Sequence, residues 1–254
     1  MSIRNLLRRL NLVSWKKQSD TQNSGYNHAR WERQRSFLRF LLRDIVFKTM
    51  IKIDLVEGVE NIPSEGPAVL VINHIAFVDP IVMVHVVPRN IVPLAKIEVY
   101  DYPVIGIFPR WWGGITVRRE EMDRQAVRQA MEVLRAGEII LVAPEGTRSP
   151  QLMQAKEGFA YFASRSATPV VPIAIEGSEH FPTYPLSSSW RKQGVSVRFF
   201  PPFRYKAGFQ RARREELRLM TDEAMYYLAS YLPERRRGVY SDLSKATHET
   251  IEWL

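Results

Sequence analysis

No cysteine occurs anywhere in the 254 residues. That excludes disulfides, thiolate zinc sites and a cysteine nucleophile, while leaving the compartment open. Long apolar runs are missing too: no stretch reaches about eighteen apolar residues, so a membrane-spanning helix is not expected. The amino-terminal stretch lacks the uninterrupted apolar centre of a secretory signal, because Arg8 and Arg9 break it. The protein is therefore expected on the cytoplasmic side. There is no G-x-S-x-G elbow, no Walker loop and no G-x-G-x-x-G. His74 has no second His or Cys at ligand spacing, so no metal is expected. Low-complexity sequence is absent, and a composition of 45% apolar and 25% charged residues suits one sizeable globular core.

Acidic residues are scarce at one end only. Residues 1–52 hold 12 Lys/Arg against 3 Asp/Glu, whereas the rest of the chain holds 24 of each, so the whole net charge of +9 sits on the first fifth. A nucleic-acid enzyme more often spreads basic surface around its catalytic body, and no nucleic-acid partner is expected. "SIRNLLRRLNLVSW" places Ile3, Leu6, Leu7 and Leu10 at helical spacing opposite Arg4, Arg8 and Arg9. A polar linker follows at 18–27. "RSFLRFLLRDIVFKTMI" then predicts a second helix, with a Leu38, Leu41, Leu42, Ile45 stripe flanked by Phe37, Phe40 and Phe47 and by Arg39, Arg43 and Lys48. Two readings fit this helix: it lies in the headgroup region of a membrane, or it packs on the domain's own core. The charge asymmetry favours the membrane, since anionic lipid attracts basic segments by about 1 kcal/mol per Lys/Arg. Residues 1–52 are thus expected to be an interfacial anchor, peripheral or monotopic.

From residue 53 strands and helices alternate. "KIDLV", "AVLVIN", "IVPLAK", "EIILV", "PVVPIAI" and "VSVRFF" read as strands. "DPIVMVHVV", "EEMDRQAVRQAMEVLRAG", "KEGFAYFASRSA" and "RREELRLMTDEAMYYLASYL" read as helices. This predicts an α/β fold, a central mostly parallel or mixed sheet flanked by helices. The expected division is a catalytic domain at 53–232 and a tail at 233–254 extending over the surface.

Three polar clusters fall at strand ends or in loops, where α/β sheets gather ligands. The first is Asn73, His74 and Asp79. A turn over 75–78 would bring the Asp79 carboxylate back to the His74 ring, fixing the tautomer and leaving Nε2 as a base. Alternatively Asp79 only caps the helix that starts at Pro80, and spacing alone leans that way. The second cluster is "RWWGGITVRRE", with Arg118 and Arg119. The third is "APEGTRS", with Glu145, Gly146, Thr147 and Arg148. Guanidinium groups bind phosphate bidentately, and Gly146 allows a tight, anion-nesting backbone. Surface ion pairing with Glu120, Glu121 or Glu145 is the plainer role for the arginines, and a solvated side chain the plainer one for Lys156. A hydroxyl-activating base near phosphate-binding arginines suggests acyl transfer to a phosphorylated alcohol.

The same residues resemble the glycerolipid acyltransferase family, that of the 1-acylglycerol-3-phosphate acyltransferases. "NHIAFVD" resembles its N-H-x-x-x-x-D motif. "KIEVYDYPVIG" (Lys96 to Gly106), "GGITVRR", "PEGTRS" and "TPVVPIAI" are similar to its other blocks, in order, over about residues 55–200. Four ordered blocks select the dyad over the cap. The resemblance implies a glycerolphosphate acyltransferase-like fold and His74 with Asp79 as the catalytic pair. It implies Arg119, Glu145, Gly146, Thr147 and Arg148 at the acceptor phosphate, and Asn73, Lys96 and Pro172 in positioning the substrates; Lys156, which follows the third cluster outside these blocks, is a further candidate to serve a carboxylate or phosphate. It implies no cofactor: acyl-CoA or acyl carrier protein is the donor substrate, a lysophospholipid the acceptor, and an anionic membrane surface the partner. The implied reaction acylates the sn-2 hydroxyl of 1-acylglycerol 3-phosphate. Another lysophospholipid, glycerol 3-phosphate, or lipid binding without turnover are the alternatives. Ala143, Ala76 and Arg118 depart from the family's usual aromatic, Ser and Asp, which leaves the acceptor open.

Overall fold

The computed structural model describes residues 26–101, 106–118, 123–183, 185 and 188–254. The helix expected near residues 3–14, most of the linker and Arg119 lie outside them.

Three strands are almost wholly sealed: β2 (Ala68–Ile72), β5 (Ile139–Val142) and β6 (Val170–Glu176). Their unbroken apolar runs follow from burial on both faces, because alternate residues enter different cores. Val69, Val71, Ile140 and Val142 face one core; Leu70, Ile72, Ile139 and Leu141 face the other. With β1 (Ile53–Glu57), β3 (Ile91–Lys96), β4 (Ile115–Val117) and β7 (Val195–Phe199) they form a sheet in the order β1-β7-β6-β2-β5-β3-β4. The run β6-β2-β5-β3-β4 is parallel, and β7 is antiparallel to β6. The sheet is thus mixed, as expected, and its parallel strands all end on one edge.

Helices cover both faces. One core takes α4 (Arg124–Arg135), α5 (Gly158–Ser166) and α6 (Arg214–Ser230) through Ala126, Ala130, Val133, Phe159, Ala163, Met220, Ala224 and Leu228. Asp79–Val86 (α2) and Ile107–Trp112 (α3) close the other core through Val82, Met83 and Trp112. The second expected amphipathic helix is present as α1 (Glu32–Leu41), which continues through a π-helical turn at Leu42–Val46. It docks on this second core by Leu38 and Leu42. Its buried Arg35 donates Nε–H to the Trp112 carbonyl at 2.8 Å. Phe37, Phe40 and Ile45 remain about half exposed, at 54%, 55% and 49%. The helix therefore packs on the domain with one face and leaves an apolar face unsatisfied.

The tail past Pro233 does not simply extend over the surface. It forms a short helix, α7 (Glu234–Arg237), then returns as β9 (Ile251–Trp253), pairing antiparallel with β8 (Phe203–Tyr205), itself paired to β6. The buried Glu223 of α6 holds this return, accepting from Thr247 Oγ1 at 2.7 Å, from the Glu249 and Thr250 amides at 2.6 and 3.0 Å, and from the Thr250 hydroxyl. Two of the tail's apolar side chains, Tyr240 and Ile251, enter the core, which is why the segment is fixed.

Candidate active site

β2 ends at Ile72, and the chain turns through 73–78 before α2. Asn73 is buried. Its amide both donates to the Ile175 carbonyl (2.9 Å) and accepts from the Ile175 amide (2.7 Å), clamping the end of β2 to β6. Both ends of the Asn73 amide are engaged within the sheet. This clamp fixes the point from which His74 projects.

The turn that follows is organised by Asp79. Its carboxylate is fully buried, whereas the His74 side chain keeps 17% of its surface exposed. Oδ2 accepts from the Ile75 and Ala76 amides at 2.8 and 2.9 Å and lies 2.8 Å from His74 Nδ1; Oδ1 accepts the Ser178 hydroxyl at 2.5 Å. Surrounded by donors, the carboxylate is the acceptor for the ring, so Nδ1 carries the proton and the Nε2 lone pair faces outward. The capping alternative needs correction. Asp79 is the first residue of α2, not its cap, and Val78 in that position makes no side-chain bond. The carboxylate turns back to the loop before the helix instead of forward to the helix amides.

Ser178 was not legible as a site residue. It follows Gly177 just after β6, 99 positions from Asp79, and is completely buried. Only the pairing of β6 beside β2 brings the two together, and nothing in "EGSEH" signals it.

The third cluster follows β5 at the same edge. Gly146 adopts φ +67°, a conformation disfavoured for any residue with a Cβ, and its amide closes a turn onto the Ala143 carbonyl at 3.0 Å. Glu145 faces inward and is 6% exposed. Its Oε2 accepts the Met153 amide at 2.8 Å and its Oε1 the His74 amide at 3.4 Å. Burial pushes its pKa up to about 7, against these two amide bonds and with a further upward push from Asp79. The Ser149 amide donates to the His74 carbonyl at 2.8 Å, so the third cluster is bonded directly to the first. Thr147 and Arg148 are exposed, and Arg148 has no ion pair or hydrogen bond among the described residues. A free guanidinium beside the His74 turn is suited to an anion.

The other positions are dispersed. Lys96 ends β3 at this edge, with Nζ 2.9 Å from Glu98. Arg118, just past β4, has its amide on Asp123 Oδ2 at 3.0 Å and is exposed. Lys156 is exposed, and its amide closes the third loop onto the Pro144 carbonyl at 2.9 Å. Pro172 is buried within β6 opposite Val71. Thus His74, Asp79, Glu145 and the Gly146–Arg148 loop are brought together, whereas Pro172 sits within the sheet.

A family model described as Acyltransferase matches residues 55–176. The chain is similar to the 1-acyl-sn-glycerol-3-phosphate acyltransferase of Bacillus subtilis (strain 168), 30% identical over 119 residues, covering 46% of this chain and 60% of that one. It is 30% identical over 149 residues to the enzyme of the same name from Borreliella burgdorferi, covering 54% and 60%. It is 31% identical over 147 residues to the chloroplastic 1-acyl-sn-glycerol-3-phosphate acyltransferase LPAT1 of Arabidopsis thaliana, covering 56% and 41%. The chain thus spans less than two thirds of these curated relatives. Among solved structures it resembles the 1-acyl-sn-glycerophosphate (LPA) acyltransferase PlsC of Thermotoga maritima, with a TM-score of 0.51 at 24% identity over 76% of this chain and 75% of that chain. That likeness shows the shared fold.

Proposed function

From the match of residues 55–176 to the acyltransferase family model we propose that this protein moves a fatty acyl group from an acyl thioester to the free sn-2 hydroxyl of 1-acylglycerol 3-phosphate, giving phosphatidic acid. One observation carries the reading: a His74–Asp79 pair with its outer ring nitrogen unpartnered among the described residues, bonded through its own backbone to a loop that presents Arg148. The relatives named above support the choice of acceptor.

In the proposed reaction His74 Nε2 takes the proton of the acceptor hydroxyl as that oxygen attacks the thioester carbonyl. Asp79 holds the ring and stabilises the imidazolium. Collapse of the tetrahedral intermediate breaks the carbon–sulfur bond, and the leaving thiolate takes the proton from His74. Neither a covalent acyl-enzyme nor a metal enters this sequence. Arg148, with Arg119, is proposed to bind the acceptor phosphate by charge-assisted bonds. The inward-facing Glu145 is proposed to act at that site by holding the Gly146–Arg148 loop. Lys96 and Lys156, at the same edge, are the proposed further cationic contacts, with acyl-CoA or acyl carrier protein as donor.

The test is thiol release from acyl-CoA and from acyl carrier protein by the full-length protein, across a panel of acceptors. Turnover is expected with 1-acylglycerol 3-phosphate. Turnover confined to another lysophospholipid or to glycerol 3-phosphate would move the acceptor assignment. Liposome binding without thiol release from any pair would replace the enzyme with a lipid-binding protein.

The same reading places the protein at the cytoplasmic surface of a membrane containing anionic lipid. Among the described residues no helix is long and apolar enough to cross one. Phe37 and Phe40 project from α1 beside exposed Arg33 and Arg43, and Phe37 lies 6.2 Å, centroid to centroid, from Trp111. This combination suits the interface. Phe37→Ser with Phe40→Ser should weaken binding to anionic vesicles by at least about tenfold, given roughly 1.5–3 kcal/mol for burying one such side chain. Unchanged co-sedimentation would remove α1 from the anchor.

A further inference from the structure

Arg236 lies 60 residues beyond the last position of the matched family segment, in α7. It is 8% exposed. Its guanidinium reaches three acceptors on two pieces of the protein, the Pro150 loop and the end of β6 with its following turn. Nε donates to Glu176 Oε1 at the end of β6 at 2.8 Å, Nη1 to the Pro150 carbonyl at 2.9 Å, and Nη2 to Glu179. Arg235 adds a bond to Glu176 Oε2 at 2.7 Å. Pro150 belongs to the loop that carries Glu145 and Arg148. Glu179 is the neighbour of Ser178, which holds Asp79.

The backbone around Arg236 grips the same loop. The Leu152 amide donates to the Arg236 carbonyl at 2.7 Å, and the Val239 amide donates to the Leu152 carbonyl at 3.1 Å. Such close passage requires the glycine between them: a Cβ on Gly238 would stand 1.9 Å from the Leu152 oxygen. Farther along, the Tyr240 hydroxyl accepts the Ala155 amide at 3.1 Å, while Arg218 Nη1 donates to the Ala155 carbonyl at 2.7 Å. Next to Leu152, the Met153 amide is the one that binds Glu145. The tail thus contacts the loop at Pro150, Leu152 and Ala155, and one arginine joins that loop to the turn that fixes the catalytic aspartate.

We propose that Arg236 is a positioning residue for acyl transfer, setting the Arg148 loop and the Ser178 turn in one fixed relation to His74. The inference rests on the functional reading above and extends it to a segment outside the matched family region. A planar fork with several donors suits this task; a lysine offers a single ammonium point and cannot reach three acceptors in the same geometry.

The experiment combines steady-state acyl transfer with hydrogen exchange on the full-length protein. Arg236→Gln should lower kcat/KM for the acceptor on the order of 10²-fold, the scale of an ångström-sized misplacement. Amide exchange at Ser149, Leu152 and Met153 should quicken about tenfold, as for losing one hydrogen bond's stabilisation. Arg236→Lys should recover only part of both. Because Arg236 acts through the Ser178 turn, adding Ser178→Ala to Arg236→Gln should cost less than the two single effects multiplied. Wild-type rate and wild-type exchange in Arg236→Gln, or strict multiplicativity with Ser178→Ala, would overturn the proposal. If Arg236→Gln does not fold, Glu179→Gln, which removes the more exposed partner, enters the same cycle with the same expectations. Absence of thiol release by the wild type on every acceptor would instead sink the functional reading, while exchange still reports whether Arg236 holds the loop.

Discussion

Replacing His74 with alanine is expected to lower acyl transfer by roughly 10²–10⁴-fold, the range for a positioned general base, while leaving the unfolding midpoint near that of the wild type. The ring is at the surface end of the turn, and Asp79 would still accept from Ile75, Ala76 and Ser178 without it. Substitutions at Asp79 then separate chemistry from architecture. Asparagine can keep its oxygen toward the two amides and turn its NH2 toward the Ser178 oxygen, so the turn stays bonded. What it lacks is the negative charge that stabilises the imidazolium. Asp79→Asn should therefore fold normally and lose most of its turnover. Asp79→Ala strands two part-buried amides and the buried Ser178 hydroxyl, and should cost about 2–3 kcal/mol, the buried group alone accounting for roughly 1–3 kcal/mol. Thiol-release kinetics and urea unfolding on the three variants check this. Full activity in His74→Ala would remove the histidine from the mechanism.

Stability should also carry a pH signature from Glu145. Its carboxyl is pushed up to about 7 from an ordinary 4.5. Between those values the folded protein holds a proton that the unfolded chain has released, so this residue's contribution to stability falls as pH rises. The loss is complete above about pH 7 and amounts to about 3 kcal/mol, at 1.36 kcal/mol per pKa unit. Glu145→Gln deletes the titration. It also sets an NH2 group against one of the two amides that the carboxyl now accepts, which is a fixed cost. The penalty of Glu145→Gln, measured by urea unfolding, should hence be larger at pH 5 than at pH 8. A penalty that grows with pH would mean that the two amide bonds outweigh burial and the carboxyl is not held neutral. The same titration has a functional side: above pH 7 an anionic Glu145 lies within the loop proposed to receive the acceptor phosphate, and acceptor KM should rise there.

The tertiary structure altered the sequence reading at particular residues, each for a physical reason. Asp79 was legible as a partner of His74 from the family blocks, against a spacing that leaned toward a cap, but its role as a four-donor hub was not. Two of those donors are backbone amides of the intervening turn, and the fourth comes from 99 residues away. Glu145 was legible as part of a loop motif, yet its inward orientation depends on the Met153 amide that the loop's return presents to it. The second helix left two readings open from its stripe alone. The structure shows why: Leu38 and Leu42 satisfy the core while Phe37 and Phe40, one and two positions from Leu38 along the helix, do not.

By itself the sequence determined the alternation of strands and helices, and so an α/β sheet, because this depends on local periodicity; the pairing of His74 with Asp79 came from the family blocks, since spacing alone leaned toward a helix cap. The sequence also placed all the excess charge on one end. Only the tertiary structure decided that β6 lies beside β2, so that Ser178 reaches Asp79, and that the tail folds back to put Arg236 between two loops. Those contacts join residues about 60 to 100 positions apart. Strand order, set by how two cores close over one sheet, leaves no periodic trace in the chain.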